Sequence, residues 1–220
     1  MEVLENGKWV KPVLDFASLQ KDTARDQEVL RQRKEQEDAE RLEAVKATGI
    51  PERYWFTTFD THREYKGDIE PIKLYAEKSK HEYCGVLVIL GENGTGKTSI
   101  VSALLHVNPN GQYIDMPTLE IELECSRDFS AKQNKADVLA KYTKPAILVL
   151  DEIGRFLNQQ AERQALYYIL NARYNKKLNT VLVSNLNKKE FGEYIGNATA
   201  DRIAEKRVIV ELTGMSYRKQ

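Results

Sequence analysis

The sequence predicts an α/β fold: a five-stranded parallel sheet flanked by helices, with a helical extension in front of it. Three observations carry this expectation. Strongly apolar runs of strand length, GVLVIL (85–90), AILVL (146–150), TVLVS (180–184) and RVIVEL (207–212), alternate with helical patterns, as strands buried on both faces do. A glycine-rich segment, Gly91 to Thr98, directly follows the first run. An acidic pair, Asp151-Glu152, ends the second run, which places it at the edge of the sheet where the glycine-rich segment also lies.

The elements follow in order. Residues 1–15 hold Trp9, Pro12 and scattered charges and read as an irregular start. Residues 16–48 contain neither glycine nor proline and are rich in Glu, Gln, Arg and Lys, so composition predicts a helix. Its large apolar residues are sparse, with none between Leu30 and Leu42. So polar a helix buries no full stripe; it stands in solvent or docks on a partner. Gly49 and Pro51 end it. We therefore expect an N-terminal helical extension over 1–48, a candidate partner-binding region, and an α/β domain over 49–220. Within the domain, residues 65–83 look helical around Ile72 to Ala76. Ile100, Val101, Leu104 and Leu105 have helical spacing, and Pro109-Asn110-Gly111 stops that helix. QYIDM (112–116) is a short strand candidate, and 118–141 reads as mostly helical. Ala165, Leu166, Ile169 and Leu170 share a face of a helix over 160–174.

Composition narrows the function. Lys plus Arg and Asp plus Glu number 33 each, which argues against a binder driven by bulk positive charge. Cys84 and Cys125 with three scattered histidines cannot assemble a four-ligand zinc site, and they form no disulfide framework. Residues 1–20 lack the apolar block of a secretion signal. The longest strongly apolar run, Val86 to Leu90, is far short of the roughly 20 residues a membrane span needs. A cytoplasmic protein with no membrane partner is the expectation.

Gly91-Glu92-Asn93-Gly94-Thr95-Gly96-Lys97-Thr98 fits G-x-x-x-x-G-K-[ST], with a strand before it and a helix opening at Ser99. Such a loop curls backbone N–H groups around phosphate oxygens, and the helix N-terminus adds partial positive charge. Lys97 would neutralise the β and γ phosphates of ATP, and Thr98 would hold Mg²⁺. Asp151 suits Mg²⁺ binding, and Glu152 is placed to orient and deprotonate an attacking water. Asn185, just past the strand 180–184, can hydrogen-bond a γ-phosphate or that water, or cap the following turn. Arg202, before the last strand, is by itself a surface arginine with Asp201 and Glu205 as natural partners. Residues 172–189 carry Arg173, Lys176, Lys177, Lys188 and Lys189 with no acidic residue. They could track a nucleic-acid backbone, with Arg173, Lys176 and Lys177 as the first candidates, or form a solvated basic face.

Together these residues resemble the DnaC/DnaI/IstB-like branch of the AAA+ ATPases, over about 46–220. The motifs are TGIPERYWFTTFD, LGENGTGKTS, LVLDEIG, NARYNKKLNTVLVSNL, ATADRI and LTGMSYRK. The resemblance implies a P-loop NTPase core. It also implies an ATPase that loads a replicative helicase, a DnaB-like ring, onto single-stranded DNA, or one that assists a transposase. By position, Lys97 and Thr98 match the Walker A pair, Asp151 and Glu152 the Walker B pair, and Asn185 the first sensor. Arg202 matches an arginine finger that acts on a neighbouring copy, so self-association in the ATP state is implied. Arg218 matches a second-sensor arginine. The N-terminal region corresponds to the part that grips the helicase, here without a zinc-binding cysteine cluster. Only eight residues follow Leu212, so no C-terminal helical lid and no helix-turn-helix of a DnaA-type initiator is expected. A small-molecule P-loop kinase and an ATP-gated binding module without turnover are the alternatives of other classes.

Overall fold

The computed structural model describes residues 3–5, 8–10, 16–61, 68–127 and 132–213. The chain divides into two compact units, Met1–Glu40 and Arg41–Gln220.

The first unit holds two short antiparallel strands, β1 (Val3–Glu5) and β2 (Lys8–Val10), with Val3 opposite Val10. An irregular start was the expectation here. The overlooked signal is Asn6-Gly7, the dipeptide favoured in two-residue hairpin connections. Most of α1 (Phe16–Ala47) follows. Arg31 pairs with Glu28 and Glu35 at helical spacing. Exposed pairs of this kind stabilise a helix by only a few tenths of a kcal/mol each.

The end of α1 belongs to the second unit, where Val45 is fully buried and Ile50 nearly so. The units therefore divide at 40/41, within the helix, although the texture of the sequence changes at 48/49.

The sheet of the second unit contains β3 (Val86–Gly91), β4 (Gln112–Asp115), β5 (Ile147–Ile153), β6 (Asn179–Ser184) and β7 (Arg207–Leu212). All pairings are parallel, and the spatial order is β4-β5-β6-β3-β7. Alternate residues of each strand face opposite sides. Val86, Val88 and Leu90 pack with α4 (Met116–Cys125), α5 (Lys135–Lys141), α6 (Gln159–Asn175), α7 (Lys188–Ile195) and α8 (Asn197–Ala204). Leu87 and Ile89 pack with α2 (Glu70–Lys78) and α3 (Lys97–Val107). Two cores on two faces are why the strands read as continuous apolar runs. The mostly helical stretch expected over 118–141 holds the greater part of α4 and all of α5. Helix α5 begins with a capping box, in which Asn134 accepts from Asp137 N–H and the Asp137 carboxylate accepts from Asn134 N–H.

This strand order brings the C-terminal ends of β5, β6 and β3 side by side. They carry Asp151-Glu152, Ser184-Asn185 and the Gly91 loop. Among the described residues no helix is long and apolar enough to cross a membrane.

Candidate active site

The loop after β3 is shaped for an anion. Gly96 has φ +88° and is the N-cap of α3, with no side chain capping the first turn. The leading N–H groups of a helix begun this way are left for a ligand. Gly91 cannot carry a side chain, because a Cβ there would lie 2.5 Å from the Leu212 carbonyl oxygen. Lys97 is buried, and its ammonium donates to the carbonyls of Gly91 and Glu92, both at 2.7 Å. Thr95 Oγ1 donates to the Glu92 carbonyl. Asn93 and Glu92 are exposed at the outer bend, and Ser99 lies in the first turn of α3.

Asp151 lies under this loop, 2% exposed. Thr98 Oγ1 donates to its Oδ2 at 2.9 Å, Tyr113 donates to the same oxygen at 3.1 Å, and Glu152 N–H donates to Oδ1 at 2.7 Å. Burial pushes the Asp151 carboxyl up, while these three donors pull it down. A hydroxyl and a buried carboxylate in contact form a suitable hard-oxygen donor set for Mg²⁺. Tyr113, on β4, was not singled out in the sequence. Its phenol is raised by burial and then by the adjacent Asp151 charge, so it stays a donor.

Glu152 points the other way, into solvent. On β5, Leu150 pairs with Leu182 and Ile153 with Ser184, so β5 gains one residue between them. This bulge puts Glu152 at φ +58°, a strained conformation for a residue with a side chain. It also separates two neighbouring carboxylates into a buried one and an accessible one.

The segment beyond is braced by a residue that sequence reasoning missed. Glu162, in the first turn of α6, is fully buried. Its carboxylate accepts from Gly154 N–H at 2.7 Å, Phe156 N–H at 3.1 Å and the Tyr194 hydroxyl. No local pattern marks it, since its partners come from a loop and a distant helix. Arg155, also unremarked, donates to Asn93 Oδ1 at 3.4 Å and so brings a cation to the phosphate loop.

Asn185 lines a cavity of about 270 Å³ with Gly91, Glu92, Thr95, Leu212 and Thr213. It is not a turn cap. The capping residue of α7 is Asn187, and none of the described hydrogen bonds engages the Asn185 amide.

Arg202 lies elsewhere. It borders a small cleft with Val86 and Thr180, which stand at the beginnings of β3 and β6. That is the N-terminal edge of the sheet, opposite the phosphate loop. The five steps from Val86 to Gly91 span about 17 Å. Among the described residues no ion pair engages Arg202. Glu205, one of its natural partners, accepts from the Tyr174 hydroxyl instead. Arg218 lies outside the described residues.

The basic stretch is not one surface. Arg173 is fully buried and donates to Thr180 Oγ1, to the carbonyls of Tyr142 and Pro145, and to that of Asn179. It cannot reach a nucleic-acid backbone, which corrects its assignment. Burial without a carboxylate partner lowers its pKa to about 10. Lys176 and Lys177 are exposed at the N-terminal edge, whereas Lys188 and Lys189 are exposed beyond the other end of β6.

The comparisons agree with this geometry. The family described as IstB-like ATP binding protein matches residues 20–220. An insertion sequence IS232 ATP-binding protein of Bacillus thuringiensis subsp. berliner is 28% identical over 141 residues, which is 60% of this chain and 55% of that protein. The replicative helicase loader DnaC of Buchnera aphidicola (strain APS) is 27% identical over 71% of this chain and 66% of its own. This chain thus spans between about half and two thirds of the length of these relatives. Crystal structures of the DnaC helicase loader and of DnaI superpose with TM-scores of 0.60 at 22% and 20% identity. They cover 74% and 76% of this chain and 100% and 93% of their own. A family match over residues 20–220 and a phosphate loop backed by a buried aspartate lead to one assignment: the chain belongs to the IstB-like ATP binding protein family.

Proposed function

We propose that this chain is an ATPase that loads a replicative helicase ring onto single-stranded DNA and hydrolyses ATP at sites completed by neighbouring copies. One observation carries the reading. The phosphate loop and Arg202 stand on opposite edges of one sheet, so Arg202 serves only a nucleotide held by another copy. Among the described residues no ion pair engages it, which leaves its charge for such a phosphate.

The roles follow from placement. Thr98 and Asp151 would hold Mg²⁺, which supplies charge to the β and γ oxygens when bound. Lys97 binds the phosphates, and the N-terminus of α3 adds its backbone donors. Asn185 orients the attacking water, and Glu152, accessible at the same edge, takes its proton. Lys176 and Lys177 remain candidates for single-strand contact, and Arg218 remains the candidate second sensor. Residues 1–48, whose helix is exposed over residues 27–40, are the candidate helicase contact.

Trans action is tested by mixing two inactive variants. Arg202→Ala keeps an intact phosphate site, and Lys97→Ala keeps an intact finger. Each alone should lose at least ~10-fold in turnover, and equimolar mixing should recover a measurable part of it. No recovery at any ratio rejects action in trans.

The relationship to insertion-sequence ATP-binding proteins supports a second reading, a helper of transposition. Affinity capture decides between them. A loader retains a hexameric replicative helicase in ATP and releases it in ADP. Retention of a transposase with no retention of helicase selects the helper.

A further inference from the structure

We infer that Asn171 is a positioning residue for Arg202, holding its guanidinium by one nitrogen so that the charged fork faces a neighbour's nucleotide. The inference rests on the reading of Arg202 as a trans-acting finger. Arg202 Nε donates to Asn171 Oδ1 at 3.0 Å, and the guanidinium carbon stands 5.8 Å from the Tyr174 ring centroid. Both contacts come from the last turns of α6, against which α8 packs.

Three features make this a support rather than a chance surface contact. An arginine has five N–H donors, and the bond from Nε leaves the two terminal nitrogens as a planar pair suited to phosphate oxygens. The acceptor is a neutral amide. A carboxylate at 171 would hold the guanidinium at least as firmly but would also neutralise it, whereas Asn171 fixes direction and leaves the charge intact. Of the two nearby carboxylates, Glu205 is engaged by the Tyr174 hydroxyl, and among the described residues neither Glu205 nor Asp201 forms an ion pair with Arg202. Finally, the platform is rigid. Two residues beyond Asn171, Arg173 ties the end of α6 to residues 142, 145, 179 and 180, and a group that must meet a transition state benefits from such backing.

The test uses the full chain and the mixing assay. A Lys97→Ala chain donates the finger, and an Arg202→Ala chain supplies the nucleotide site. Placing Asn171→Ala in the donor should lower the rescued kcat about tenfold with KM for ATP unchanged, because the finger acts on turnover and not on the acceptor's own loop. Placing Asn171→Ala in the acceptor should change neither. Asn171→Asp in the donor, nearly identical in shape, should also lower rescue by neutralising the fork. ATP binding by the single Asn171 variants, read at the opposite edge of the sheet, reports that they are folded. Equal rescue by all donors overturns the inference, as does a loss of the same size whichever chain carries the substitution. If Arg202→Ala alone leaves turnover intact, the finger reading fails instead.

Discussion

Glu152→Gln should bind ATP as tightly as the parent chain and hydrolyse it about 10²–10⁴-fold more slowly, the range lost when a positioned general base is removed. The substitution keeps size and backbone. It leaves untouched the Thr98–Asp151 contact and the Lys97 loop contacts on which nucleotide binding depends. Single-turnover hydrolysis alongside nucleotide affinity separates the two effects. A variant with normal turnover would falsify the assignment of Glu152 and move the base elsewhere. The bulge sharpens the expectation. The extra residue in β5 is what turns Glu152 out of the sheet while Asp151 stays buried. Asp151 therefore cannot exchange roles with it.

Arg173→Met should destabilise the second unit by about 3–5 kcal/mol. Methionine fills much of the volume and relieves the burial of a charge. It also removes the donor from four oxygen acceptors, three of them in buried bonds and the Pro145 carbonyl in a partly buried one. An unsatisfied buried acceptor costs about 1–3 kcal/mol, so the sum outweighs the relief. A chain of this size should lose roughly 10 °C in Tm. Thermal unfolding checks this, and it also separates the two accounts of Arg173. A nucleic-acid contact would give weaker single-strand binding at an unchanged Tm. Lysine should not rescue, because one ammonium cannot reach oxygens spread around a planar fork.

How far the sequence anticipates this structure depends on which forces act locally. The three central strands β3, β5 and β6 were legible because each is covered on both faces, and their runs are apolar without alternation, whereas the edge strands β4 and β7 are only partly buried. The phosphate loop was legible because backbone curvature demands glycine at fixed spacing. Asp151 and Glu152 were legible as a pair, but their opposite fates were not, since a one-residue bulge has no composition of its own. Arg173 was misread for an instructive reason. It lies four positions after Ile169 and so continues the buried face of α6. Periodicity placed it inside, while its charge and its lysine neighbours suggested outside. The carbonyls that decide the matter come from residues distant in sequence. The division of the basic stretch was already implied by the strand 180–184 in its middle, because a strand carries its two flanks to opposite edges. Glu162, Tyr113 and Asn171 act through contacts that only the tertiary structure supplies.

The opposition of Arg202 and the phosphate loop has a consequence for any assembly. Under the proposed trans action of Arg202, donor and acceptor surfaces differ, so copies would join head to tail, and such a contact closes into a ring only if its rotation divides a full turn. Otherwise it generates an open helical polymer with two unlike ends. The subunit at one end offers its arginine to nobody, and the subunit at the other holds a nucleotide that no arginine reaches. That last nucleotide would be turned over slowest, so such a polymer would carry an ATP cap on one end, and its disassembly would have a built-in direction.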